Sequence, residues 1–289
     1  MSTSLAASPP AGVPQRDGVM AQASRENFPV AARLLGARRR RQLLAIYGFA
    51  RLADDIGDEA SGDRSALLDW LQADLDRVYA GAVPEHPVMR ALAATVSECA
   101  LPADPFRRLI LANRRDQIVS RYGSFDELLD YCRLSAAPVG ELVLHVFGAA
   151  SARRIALSDS ICAGLQVTEH LQDVAEDHGR GRVYIPGEDL ARFGCDEDEL
   201  RAGAPPRSEL AALMAFEVGR ARELLDAGAP LVRCLAPRAA LAVAGFLAGG
   251  RAALAAIERA GYDVLGARPR PGRADFARAL GHTLAGARR

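Results

Sequence analysis

Apolar residues recur at three- and four-residue intervals from about residue 27 to the end of the chain, and β-branched runs bounded by turn residues are scarce. Ala, Leu and Arg dominate these stretches, all good helix formers, so the pattern predicts an all-α fold. Helices are expected near 28–36, 38–58, 64–81, 86–100, 103–121, 125–148, 154–178, 207–227, 229–261 and 272–286. Ser124 with Glu127 reads as a capping box, and Asp104 before Pro105 as a cap followed by proline at the first helical position. Residues 179–206 form the one long stretch without periodicity. Residues 1–22 are rich in Ser, Ala, Pro and Gly and are expected to be a disordered tail, which leaves 23–289 as a single helical domain.

Two acidic clusters interrupt apolar helical sequence 119 positions apart, DDIGD at 54–58 and DVAED at 173–177. Asp54 and Asp58 are four apart, as are Asp173 and Asp177, so a helix projects each pair from one face, roughly 6 Å apart at Cβ. Mg2+ takes a few carboxylate oxygens and leaves its other positions to water or substrate phosphate. If the two helices face a common cavity, the four carboxylates can share such ions, and metal with diphosphate is the leading reading. Tyr47 and Arg51 precede Asp54, and Gln166 precedes Asp173, at helical spacing in otherwise apolar sequence, an arrangement a solvated acidic face does not need.

Composition narrows the remaining classes. Acidic and basic residues balance at 36 each, against a nucleic-acid binder driven by bulk charge. All the basic charge is arginine, since the chain has no lysine. The five cysteines are dispersed with no CxxC pair, as expected of reduced thiols in a cytoplasmic protein. The N-terminus lacks a signal-peptide pattern, and the best apolar run, 239–250, is bounded by Arg238 and Arg251 and reads as a buried core helix rather than a membrane span.

Ionising an allylic or cyclopropylcarbinyl diphosphate requires positive charge on the leaving group and a dry apolar chamber for the cation. Arg180 and Arg182 flank Gly181 just after the second cluster, ahead of Tyr184, where a flexible glycine lets an arginine fold over diphosphate. Pro138, among Ser135, Ala136, Ala137 and Gly140, is expected to kink the helix that carries Tyr131 and make room for substrate. The arginine run at 38–41 reads as a solvated face, and His145, His170 and His178 as structural or exposed residues. A di-iron oxidase would need Glu-x-x-His pairs, and the sequence contains none. A non-catalytic helical scaffold would need neither acid pair.

The segments YGFARLADDIGD at 47–58 and GLQVTEHLQDVAEDHGRGRVYIP at 164–186, with Tyr131-Cys132 between them, closely resemble the aspartate-rich signatures of the squalene and phytoene synthase family. Within it, ENFPVA at 26–31, SAAPVG at 135–140 and EHLQD at 169–173 look like the hydroxysqualene synthase branch of bacterial hopanoid biosynthesis. The resemblance implies an isoprenoid synthase bundle with a central cavity and Mg2+ held by Asp54, Asp58, Asp173 and Asp177. It implies that Tyr47, Arg51, Gln166, Arg182 and Tyr184 surround diphosphate or the ionising carbon, with Tyr131 at the cavity wall. Many relatives carry Asn where Glu169 stands, and Val-Ala-Gly near 135–137. Glu169 therefore adds a carboxylate beside the metal, which could orient a water. The implied reaction turns presqualene diphosphate and water into hydroxysqualene; the alternative is head-to-head condensation of two farnesyl or geranylgeranyl diphosphates. The expected partners are an isoprenoid diphosphate, a membrane surface touched peripherally, or neighbouring hopanoid-pathway enzymes; no nucleic acid and no transmembrane segment are expected.

Overall fold

A computed structural model of the protein describes residues 9–21, 36–204, 207–266 and 268–286. Among the described residues the regular elements are all helices, with one isolated parallel bridge between Arg121 and Val183. The helices are α1 (Arg16–Ala21), α2 (Gly36–Asp58), α3 (Arg64–Tyr79), α4 (Pro87–Cys99), α5 (Asp104–Arg115), α6 (Phe125–Ser135), α7 (Ala137–Val146), α8 (Ala152–Gln172), α9 (Val174–Gly179), α10 (Gly187–Phe193), α11 (Ser208–Gly228), α12 (Pro237–Arg259) and α13 (Arg273–Gly286). They group into two compact units, one of Met1–Ile118 with Pro138–Ala150, the other of Val119–Ala137 with Ser151–Arg289. The expected helix at 28–36 and the ENFPVA motif fall largely or wholly outside the described residues.

In the first unit α2 is the central helix. Its Ile46, Phe49, Leu52 and Ile56 are fully buried, and Phe49 meets Phe106 of α5 edge to face with ring centroids 4.9 Å apart. At Gly48 a Cβ would come within 3.2 Å of both Met20 and Val88, so the missing side chain lets neighbouring segments close on α2. Part of the expected disordered tail is thus ordered: α1 buries Val19 completely, and Pro14 O lies 3.0 Å from His86 Nε2. Asp104 is not a cap, because α5 starts at that residue and Asp104 instead pairs with Arg108 at 2.8 Å.

In the second unit α8, α11 and α12 lie close together because glycines stand where they approach. A Cβ at Gly164 would sit 2.9 Å from Leu225, one at Gly228 2.6 Å from Leu157 O, and one at Gly250 2.7 Å from Leu165. Half of the expected capping box forms, with Ser124 Oγ accepting from Glu127 N (3.3 Å), while the Glu127 carboxylate reaches one residue further back and accepts from Gly123 N (2.7 Å). The α12 helix is longer and more apolar than its bounding arginines suggested. Its 23 residues, of mean hydropathy 1.8 over the most apolar window, would suffice to cross a membrane by length and composition, yet 61% of that window is buried inside the protein. That burial makes it a core helix.

Three expected helices are interrupted. The segment 125–148 breaks at Ala136 (φ −108°), and Pro138 falls in the first turn of α7, where its missing N–H costs nothing, so the expected kink is a break. The segment 154–178 breaks at Asp173, and 229–261 begins as a 3-10 turn (Ala229–Cys234) before Pro237 opens α12. The stretch 179–206 is less irregular than its composition suggested, since it holds α10 and a 3-10 turn at Glu197–Leu200.

Candidate active site

The first acidic segment lies on the last turns of α2. Leu52, Ala53 and Ile56 are buried, while Asp54 and Asp58 emerge exposed from the opposite side of the helix. Tyr47 is buried at 8% exposure. Arg51 lies along its own helix, with Nε 2.6 Å from Asp55 Oδ1 and Nη2 3.3 Å from Glu59 Oε1. Two amides, buried Asn113 on α5 and half-buried Gln117 beyond it, fix this end of α2. Asn113 Nδ2 donates to Asp54 Oδ1 (3.1 Å) and Leu109 O (3.2 Å), and Gln117 Nε2 donates to Gly57 O (2.9 Å) and Asn113 O (3.0 Å). Gly57 allows the contact, because a Cβ there would lie 2.2 Å from Asn113 Oδ1. Asp54 is reached by solvent yet crowded by protein. Loss of hydration pushes its carboxyl from 3.8 up to about 7, opposed by the Asn113 amide and reinforced by the Asp58 charge. Solvent access tempers that shift, and its upward direction is what matters.

The second segment begins on α8, which carries Gln166, Glu169 and His170. At Asp173 the backbone leaves the helical region (φ −109°, ψ 11°), but one turn is retained, as Asp177 N donates to Asp173 O (2.8 Å). The chain then reverses: Arg182 N donates to Asp177 O (2.9 Å), Gly181 takes φ +78°, and Val183 N donates to Ser120 O (2.9 Å). Arg121 anchors the reversal, donating to Gly181 O at 2.6 Å and Nε to Glu197 Oε2 at 2.8 Å. Arg180 points away to Glu176 (2.8 Å), whereas Arg182 lines a small cleft with His170, Asp177, Tyr184 and Leu200. Asp173 Oδ1 is held at 2.8 Å by Arg268 Nε. Burial lifts the Asp173 carboxyl from 3.8 to about 6; Arg268 opposes this, and the charges of Glu169 and Asp177 add to it.

The Tyr131 and Tyr184 rings lie together, their centroids 5.9 Å apart. Tyr122 joins them, 5.5 Å from Tyr131 and stacked on Tyr184 at 5.7 Å, and the His170 ring stacks on Tyr184 at 3.6 Å and 11°. Gln166 reaches His170 rather than an open site, Nε2 to Nε2 at 3.2 Å. Glu169 is exposed one helical turn before Asp173. Sequence reasoning therefore missed Asn113, Gln117, Tyr122, His170 and Arg268. Only His170 carried a usable signal, standing four positions after Gln166 and seven before Asp177.

Among the described residues no group of three or more His, Cys, Asp or Glu side chains is gathered in readiness for a metal ion. Within each segment the chemistry fits a cation: Asp173 already pairs with a guanidinium, and neighbouring carboxylates of the same segment raise the proton affinity of Asp54 and of Asp173.

Residues 21–275 match the family model described as squalene/phytoene synthase. A hydroxysqualene synthase of Sinorhizobium fredii is 38% identical over 211 residues, 72% of this chain and 70% of that one. A 15-cis-phytoene synthase of Synechococcus elongatus is 32% identical over 253 residues, 83% of this chain and 82% of that one. Among solved structures, squalene synthase HpnC from Alicyclobacillus acidocaldarius superposes with a TM-score of 0.78 at 42% identity, covering 83% of this chain and 91% of that one. A dehydrosqualene synthase gives 0.84 at 24% identity over 94% and 95%, which speaks to the fold. The chain is an all-α enzyme of isoprenoid biosynthesis and belongs to the squalene/phytoene synthase family.

Proposed function

We propose that this enzyme converts presqualene diphosphate and water into hydroxysqualene and diphosphate. The C–O bond breaks with its electron pair leaving on diphosphate, the cyclopropylcarbinyl cation rearranges, and a water oxygen forms the new C–O bond as one proton is released. The sequence of steps is redox-neutral and needs no hydride donor. The observation that carries this reading is the likeness to hydroxysqualene synthases of three bacteria, at 36–38% identity.

Asp54, Asp58, Asp173 and Asp177 are the residues that would hold Mg2+, which neutralises charge developing on the leaving diphosphate. Arg182 and Tyr184 line a cleft beside Asp177, a setting suited to holding phosphate. Arg51 takes up a diphosphate contact by giving up Glu59, and Gln166 keeps one amide hydrogen on His170 while its second donates to diphosphate. Tyr47 contributes at the ionising carbon, and the stacked rings around Tyr131 offer the cation an apolar, π-rich wall that excludes water. Glu169, exposed beside the second acid pair, orients the water that ends the reaction. Replacing it by Asn is expected to lower the hydroxysqualene share of the products; an unchanged rate and product ratio would remove Glu169 from the mechanism.

Head-to-head condensation of two farnesyl or geranylgeranyl diphosphates is the second reading, favoured by the broader coverage of the phytoene synthase relative. Incubation with each diphosphate, with and without NADPH, followed by mass analysis of the lipid extract, separates the two. Consumption of farnesyl diphosphate with presqualene diphosphate untouched would replace the first reading by the second. Substrate and product are both lipids, which favours peripheral contact with a membrane or with neighbouring pathway enzymes.

A further inference from the structure

The His170 ring is buried at 7% exposure, yet both of its nitrogens face polar side chains of the second acidic segment. Nε2 lies 3.2 Å from Gln166 Nε2. A carboxamide nitrogen has no acceptor lone pair, so Gln166 must donate and His170 Nε2 must accept. In the neutral ring the proton then sits on Nδ1, the nitrogen that faces Asp177 Oδ2 at 3.8 Å. That separation is longer than a hydrogen bond, so in this structure the two groups face each other without being bonded. Stacking on Tyr184 at 3.6 Å and 11° fixes the plane of the ring, and Tyr131 adds a tilted contact at 6.4 Å. Packing alone would be served by any flat apolar ring and would not require an amide on one nitrogen and a carboxylate opposite the other.

We infer that His170 is a positioning residue: locked by Gln166 and Tyr184, it presents Nδ1–H to Asp177 Oδ2 and so leaves Oδ1 turned outward for a divalent cation. The inference rests on the proposed metal role of Asp177 and adds to it the group that aims the carboxylate. Second-layer partners of this kind typically change metal affinity 10- to 100-fold when removed.

The test uses the full chain with Mn2+ and inorganic diphosphate as probes, bound Mn2+ being read by electron paramagnetic resonance without any turnover. His170→Phe keeps a flat ring against Tyr184 but loses both nitrogens, and it is expected to weaken Mn2+ binding about tenfold. His170→Asn returns an N–H near the Nδ1 position and is expected to recover most of that loss. A folded His170→Phe protein with wild-type Mn2+ affinity overturns the inference while leaving the metal reading of Asp177 intact. If that variant fails to fold, Gln166→Leu, which unlocks the ring without removing it, is compared with wild type using Mn2+ alone, so that its diphosphate contact plays no part: several-fold weaker binding supports the relay and unchanged binding overturns it. A wild-type protein that binds no Mn2+ with diphosphate overturns the metal reading and the relay with it.

Discussion

Asp54 and Asp173 carry carboxyls raised from 3.8 to about 7 and about 6. A raised carboxyl binds its proton more tightly in the folded chain than in the unfolded one. The stability it contributes is complete below the unfolded value and is lost as pH rises through the folded one. The metal-free protein should therefore melt at progressively lower temperature from about pH 4 to pH 7, and Mg2+ with diphosphate at pH 8 should restore part of the loss. Asp54→Asn, which cannot ionise, should flatten the upper part of this slope; equal slopes in the two proteins, followed by thermal denaturation, would contradict the assignment. The acid pairs stand out in the sequence because each lies four residues apart in apolar helical sequence, whereas Tyr131 is singled out only by the resemblance. Asn113, sixty positions away from the acids in sequence order, was not, because a buried asparagine on an apolar helix face carries no periodic signal and acquires meaning only from the Asp54 Oδ1 it reaches.

At the scale of elements, close approach of helices sets where the acids stand. Gly57 is the point at which α2 and Asn113 touch, and its missing side chain admits the amide that Asp54 accepts from. Gly57→Ala introduces a Cβ that would overlap Asn113 Oδ1 and strains a side chain already tied to Asp54 and Leu109 O. Overpacking of this kind costs about 1–3 kcal/mol. Urea denaturation should show a lowered midpoint with an unchanged slope. A midpoint equal to that of the wild type would mean that Asn113 swings aside freely. Helix existence followed from the hydrophobic period, but the breaks at Ala136 and Asp173 did not. At Asp173 the apolar pattern continues without interruption into Val174, and the backbone departs from the helix beside an ion pair to Arg268, a residue distant in the chain.

At the scale of the whole molecule, the all-helical architecture was readable throughout, because Ala, Leu and Arg at a 3.6-residue period allow little else. The tail was misjudged from composition: small residues predict disorder, yet Val13 and Val19 are buried and give that segment enough apolar surface to dock. The proposed reaction asks more than any one motif can supply: charge on the leaving group and a dry wall for the cation. The most direct test is incubation of the purified protein with presqualene diphosphate and Mg2+ in H2(18)O, without NADPH, followed by mass analysis of the lipids. The account predicts hydroxysqualene carrying one atom of 18O, with diphosphate released in equal amount and no product when Mg2+ is chelated. Unreacted presqualene diphosphate, or squalene formed only when NADPH is added, would contradict it.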